Sequence, residues 1–231
     1  MPSFLIPADE LVAFGIAWQQ IGGNLGRSNP YSSGAFCELF DRKVGELLST
    51  MLGGIPIVKP NRNALTPSQA DCVEVGPVRV IGGVRPQNFD VGYRPDGIRF
   101  AFDSKSLNDK DSVGKNWQNM INDLATEATT VHSRFPQAVV AFMVIIPEPC
   151  IEEPRLSAII QTLERLSKRV RPEEAAHRAE AIALAIWNPV TGEINPAIPN
   201  VQSPLRIETF SEQIQAAYVS RYKGLPPHTS E

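Results

Sequence analysis

The sequence predicts an α/β fold with a mixed central sheet, and three observations carry that reading. Residues 137–146 (QAVVAFMVII) and 181–187 (AIALAIW) are nearly unbroken apolar runs, as expected of central strands covered on both faces. Residues 88–93 and 98–106 are strand-like runs on either side of Arg94-Pro95-Asp96-Gly97, whose order of Pro, Asp and Gly suits a type I turn and makes the pair a hairpin. Segments with apolar residues at helical spacing fill the intervals. The resulting order of hairpin, helix, strand, helix, strand and helix belongs to an α/β protein with parallel and antiparallel pairs in one sheet.

The elements follow in chain order. Residues 8–20 read as a first helix, followed by a loop rich in Gly, Asn and Ser over 22–34. Across 35–52, Phe36, Leu39, Phe40, Val44, Leu47, Leu48 and Met51 share one helical face, and Gly53-Gly54 end the helix. Residues 55–58 form a short strand, 59–71 a polar loop and 73–83 a strand region. After the hairpin, Ser112 is placed to cap a helix running to about residue 134, with Val113, Trp117, Met120, Ile121, Leu124 and Val131 on its apolar side. Residues 154–170 and 211–222 supply the remaining helices. No internal repeat divides the chain, so 1–231 reads as one domain with its core over about 35–190. Residues 1–34 and 205–231 are then peripheral or dimerisation elements.

Composition excludes several classes. A chain of 231 residues with 42% hydrophobic content buries a full core, which excludes a disordered chain or a small disulfide-stapled scaffold. The net charge of −3 excludes a uniformly basic coat, so contacts to nucleic acid must come from local patches. Cys37, Cys72 and Cys150 form no CxxC pair and read as reduced thiols of a cytoplasmic protein. The first residues lack a basic region and are interrupted by Pro7, Asp9 and Glu10, so no signal peptide is expected. No charge-free run is long enough to span a membrane. Motifs for nucleotide loops, serine hydrolases and HExxH metalloproteases do not occur.

The hairpin carries the chemistry. Asp103 and Lys105 are two apart on one strand and therefore point to one face, opposite Ile98, Phe100 and Phe102. With an even-numbered loop, Asp90 on the first strand lies opposite Ala101, diagonal to Asp103 and on the same face. Two carboxylates and a lysine converging on a sheet face either compensate one another or bind a metal. Two carboxylates suit a hard cation such as Mg²⁺ that keeps waters and takes a phosphate oxygen. The carbonyl of Ser104, between the ligands, is a further candidate ligand, and Lys105 is placed to orient water or stabilise developing charge.

Asp90, Asp103 and Lys105, with a preceding helix bearing an acid and a following helix and buried strand, resemble the PD-(D/E)xK nuclease superfamily, and among its members a type II restriction endonuclease. Asp90 follows Phe89 here and not a proline, while Pro95-Asp96 sits in the turn. The resemblance implies a restriction-endonuclease-like core and Mg²⁺-dependent endonucleolytic hydrolysis of duplex DNA, with Mn²⁺ able to substitute. It also implies metal ligation by Asp90 and Asp103 and an added acid from the preceding helix, for which Glu38 is the candidate.

Candidate DNA contacts are basic and amide residues in loops and at the start of a helix: Arg27, Asn29, Lys59, Arg62, Arg94, Lys110, Lys115, Asn116 and Gln118. Basic residues outnumber acidic ones between 79 and 115, which suits a cleft that tracks a phosphate backbone. A palindromic duplex target is matched by a homodimer. A repair or junction-resolving nuclease of the same fold remains open, as does a non-catalytic binding protein whose hairpin acids form a surface ion-pair cluster.

Overall fold

The computed structural model describes residues 4–27, 30–111 and 113–226. Six strands form one sheet in chain order: β1 (Ile57–Val58), β2 (Val73–Ile81), β3 (Pro86–Tyr93), β4 (Phe100–Ser106), β5 (Val139–Pro147) and β6 (Ala181–Trp187). The pairs β2/β3 and β3/β4 are antiparallel, whereas β1/β2, β4/β5 and β5/β6 are parallel, so the α/β class and the mixed sheet stand. Among the described residues five α-helices flank it: α1 (Ala8–Gln20), α2 (Ser33–Met51), α3 (Val113–His132), α4 (Arg155–Leu166) and α5 (Ile207–Tyr222). Ser112, the expected cap of α3, lies outside the described residues.

The apolar runs dictate where the core sits. Every residue of β5 and β6 is buried, because parallel crossovers lay helices on both faces of those strands. Each aliphatic side chain removed from water there contributes about 1.5–3 kcal/mol. Phe102 of β4 meets Phe210 of α5 edge-on at 6.1 Å, and Phe36 of α2 lies 5.1 Å from Trp187 of β6. The terminal helices, expected as peripheral or dimerisation elements, bury Leu11, Phe14 and Trp18 (α1) and Phe210, Ile214 and Tyr218 (α5) in this same core.

Helix α2 is set by its ends and by one close approach. Ser32 Oγ accepts from the Ala35 amide at 3.3 Å, an N-cap. At the other end Gly53 has φ of 86°, and the Gly54 amide reaches back to the Ser49 carbonyl at 2.8 Å. Midway, a Cβ on Gly45 would lie 2.4 Å from Cγ2 of Val75. Glycine there lets α2 press against β2, which brings its acidic side chains within reach of β3 and β4.

Hairpin register differs from expectation. The ladder pairs Val91 with Phe102, Gly92 with Ala101 and Tyr93 with Phe100. Ala101 therefore faces Gly92, and the same offset counted past the last pair sets Asp90 level with Asp103, not diagonal to it. The two registers differ by two residues, so the acids keep the same face. The connection is wider than the Pro-Asp-Gly turn because both of its arginines fold inward. Arg94 Nε and Nη2 hold the Glu74 carboxylate at 2.5 and 2.9 Å, and Arg99 closes on Asp96. Arg99 also donates its amide to the Tyr93 carbonyl at 2.9 Å. Arg94 is thereby buried and is not available to DNA, which corrects its assignment as a contact.

Helix α4 ends at Leu166, earlier than the expected residue 170, where Lys168 takes a positive φ of 59°. The chain turns so that Arg169 can pair with Glu180 at 2.9 Å inside the core.

Candidate functional site

The carboxylates gather where β3 and β4 part. Beyond Val91 and Phe102 the ladder stops, and the Ser104 amide donates instead to Asp90 Oδ2 at 3.0 Å. A side-chain carboxylate thus replaces a backbone acceptor, which fixes Asp90 against the middle of β4. Ser104 Oγ donates to Asp41 Oδ1 of α2 at 2.7 Å. Lys105 Nζ lies 2.5 Å from Asp103 Oδ2 and 3.0 Å from Glu127 Oε1 of α3. Gln87 Nε2 donates to the same Glu127 oxygen at 3.1 Å. Asp41 therefore reaches Ser104 from one side of β4 while Glu127 reaches Lys105 from the other, as side-chain alternation along a strand requires.

Electrostatics mark this cluster as short of positive charge. Burial, then the Asp90 charge, pushes the Asp41 carboxyl up to about 8. Burial and the neighbouring Asp103 likewise push Asp90 up to about 8, with a hydrogen bond between the two carboxyl groups. Asp103, 7% exposed, is pushed up to about 6 by burial although Asp90 and Lys105 hydrogen-bond to it. Burial works against the Lys105 ammonium, yet Asp103 and Glu127 hold its pKa above the ordinary lysine value. Glu127, 3% exposed, keeps Oε2 without a hydrogen-bond partner. One ammonium thus serves a set of carboxylates from four elements, and the deficit is met by protons retained on acids.

The structure brings Asp90, Asp103, Ser104 and Lys105 together as expected. It corrects the helix acid: Glu38 is exposed, while Asp41, three residues on and 5% exposed, makes the contact with Ser104. Glu38 lies on the rim of a cavity that Asp41 also lines, and its charge raises the Asp41 pKa further. Sequence reasoning missed both Asp41 and Glu127. Each falls on an apolar helical stripe, Asp41 between Cys37 and Val44, Glu127 between Leu124 and Val131. A charge on such a stripe was the available signal.

Of the DNA candidates, Arg27, Lys59, Arg62, Lys110, Lys115, Asn116 and Gln118 are exposed, and Asn29 lies outside the described residues. Lys59 borders the cavity beside Asp41. Trp117 packs against the core. Cys37, whose Sγ lies 3.4 Å from Ser106 Oγ, is pushed up to about 11 by burial and is not a nucleophile at neutral pH.

Among the described residues no three acidic, His or Cys side chains converge as a ready-made metal cage. The reason is visible in the contacts, since Asp103 is turned to Lys105 and Asp41 to Ser104. The pair Asp90 and Asp103 nevertheless fits a hard divalent cation, being all oxygen and in charge excess over the single Lys105 ammonium. Among the described residues no helix is long and apolar enough to cross a membrane. Comparison with family models, curated proteins and solved structures found no match to this chain.

Proposed function

We propose that this chain is a Mg²⁺-dependent endodeoxyribonuclease of the PD-(D/E)xK type, a restriction-type enzyme hydrolysing phosphodiester bonds of duplex DNA. The observation that carries the proposal is the meeting of Asp90, Asp103 and Lys105 where β3 and β4 part, with Asp41 tied to Ser104 on the other side of β4 and the acids' pKa values raised. A structural ion-pair cluster has no use for carboxylates in excess of its cations, whereas a cation site depends on that excess.

Asp90 and Asp103 would hold the divalent ion, giving up their retained protons as they do so, while the charge of Asp41 adds to the negative field around Asp90. Bound there, the ion supplies Lewis acidity at the scissile phosphate and lowers the pKa of the attacking water. Lys105 stays charged between Asp103 and Glu127, so its ammonium hydrogen bonds to the attacking water or to a phosphoryl oxygen as negative charge grows there. Glu127 and Gln87 fix where the ammonium sits. The exposed cations Lys59, Arg62, Lys110 and Lys115 bind backbone phosphates, and two copies of the chain match a two-fold symmetric target.

One observation favours a second reading, a binding protein without catalysis: Lys105 already satisfies both Asp103 and Glu127. Digestion separates the two. Long unmethylated duplex DNA of varied sequence is incubated with the protein in Mg²⁺ and in EDTA, beside Lys105→Ala. Discrete fragments that require both Mg²⁺ and Lys105 support the restriction-type reading. A smear points to a repair or nonspecific nuclease, and intact DNA, branched and methylated forms included, favours the binding protein.

A further inference from the structure

One cavity lies away from the carboxylates. It encloses about 830 Å³ at the other end of the hairpin, between the loop before β2, the turn 94–99 and the segment that follows α3. Its floor is apolar, formed by Val80, Ile81 and Ile98, and Phe135 stands in its wall. Arg79 and Arg134 also line it. Among the described residues neither guanidinium has an acidic partner: Arg79 Nη1 donates to Asn88 Oδ1 at 3.4 Å, while Arg134 Nη1 donates to the Ile81 carbonyl and its guanidinium stacks on Phe135 at 5.4 Å. The acid in the lining, Asp96, is held by Arg99.

The wall of this cavity is built, not incidental. Arg94 and Glu74 form an ion pair in which both side chains are almost wholly buried. Such a pair is expensive to desolvate and contributes little net stability by itself. Its remaining donors do something specific here. Arg94 Nη1 donates to the Ala64 carbonyl at 2.9 Å and to the Arg79 carbonyl at 2.8 Å, and Nη2 donates to the Thr66 carbonyl at 3.3 Å. The irregular loop over 64–70 is therefore anchored by a buried guanidinium, and its inner side becomes the cavity wall. Thr66 and Ser68 of that loop also line the cavity, with Arg79 and Arg134.

We propose that this cavity is a binding site for a nucleoside monophosphate or a closely similar anion bearing a flat apolar group. The phosphate lies on Arg79 and Arg134, and the ring packs on the apolar floor beside Phe135. Guanidinium groups favour phosphate through bidentate hydrogen bonds, and the volume falls within the range of small-molecule sites with an apolar lining and few polar groups. The proposal does not rest on the nuclease reading, because none of these residues belongs to the carboxylate cluster.

The test is equilibrium binding to the full chain, by calorimetry and by ¹H–¹⁵N NMR, of adenosine, guanosine and uridine monophosphates, with inorganic phosphate and free adenosine as separate arms. Arg79→Ala, Arg134→Ala and Asp90→Asn are compared, each checked for folding by circular dichroism. The expected result is binding of at least one monophosphate, tighter than phosphate or the nucleoside alone. It weakens by about tenfold or more in each arginine variant and is unchanged in Asp90→Asn. The proposal is overturned if no monophosphate binds at about 10 mM, or if phosphate alone binds as tightly. It is also overturned if binding depends on Asp90 and not on the arginines, which would place the nucleotide as a product at the carboxylates. A loss of duplex DNA binding in the arginine variants without any nucleotide binding would make the cavity rim a backbone contact instead.

Discussion

Asp90 and Asp41 retain protons in the folded chain up to about pH 8, whereas unfolded they release them near the ordinary value of 3.8. Between those values the folded state binds more protons than the unfolded one, so stability falls as pH rises through that window. Asp90→Asn mimics the protonated form. In EDTA at pH 8 it is expected to be more stable than the parent by about 1–2 kcal/mol, with ~2–4 °C in Tm for each kcal/mol in a chain of this size. The advantage should shrink as pH is lowered toward 4, and thermal unfolding across pH checks it. A gain independent of pH would mean that the charge of Asp90 is not what strains the site. Arg94 and Glu74 give the opposite case: Arg94→Ala leaves a carboxylate with no exposure and no partner, and about 3–5 kcal/mol should be lost. Denaturant unfolding measures this, and the double change Arg94→Met with Glu74→Leu should recover a large part of it.

At the scale of elements, α2 and α3 act as the two jaws that close on β4. Gly45→Val would force a methyl-bearing carbon into Val75, where even a Cβ lies 2.4 Å from Cγ2. The expected loss is about 1–3 kcal/mol, read by denaturant unfolding, together with displacement of Asp41 from Ser104. The elements themselves were largely legible in sequence. The helix over 8–20 and the strand over 181–187 appear with the bounds that periodicity predicts, because their boundaries are written in local chemistry. Less legible were features set by tertiary contact. The hairpin turn widened because Arg94 found the buried Glu74 and Arg99 closed on Asp96, which no turn preference encodes. Glu38 and Asp41 sit less than one turn apart on α2, and only its docking on β2 decides which of them faces β4. Glu127 escaped notice for the same reason, being twenty-two residues from the lysine it contacts.

Across the whole molecule, Glu180 ties together segments that are far apart in sequence. Its carboxylate accepts from the Val140 amide at 2.7 Å and pairs with Arg169 at 2.9 Å, Arg221 at 2.8 Å and the His132 ring at 3.2 Å. Burial opposes the charge, but His132, Arg221 and the Val140 amide outweigh it and hold the carboxyl below its ordinary 4.5. A depressed carboxylate contributes stability that is present above its unfolded value and is lost as pH falls through the folded one. Acid unfolding should therefore steepen below about pH 4.5, and Glu180→Ala, which strands buried guanidinium groups, should cost about 3–5 kcal/mol. Chemical denaturation at several pH values tests both.

The most direct test of the proposed cation site is calorimetric titration of the metal-free protein with Mg²⁺ and Mn²⁺ at neutral pH, beside Asp90→Asn, Asp103→Asn and Glu38→Gln. Saturable, site-specific binding with release of protons is expected, abolished by Asp90→Asn and by Asp103→Asn and little changed by Glu38→Gln. Absence of saturable binding in the parent protein, or binding that survives both aspartate changes, would contradict it and leave the cluster as buried ion pairs around Lys105.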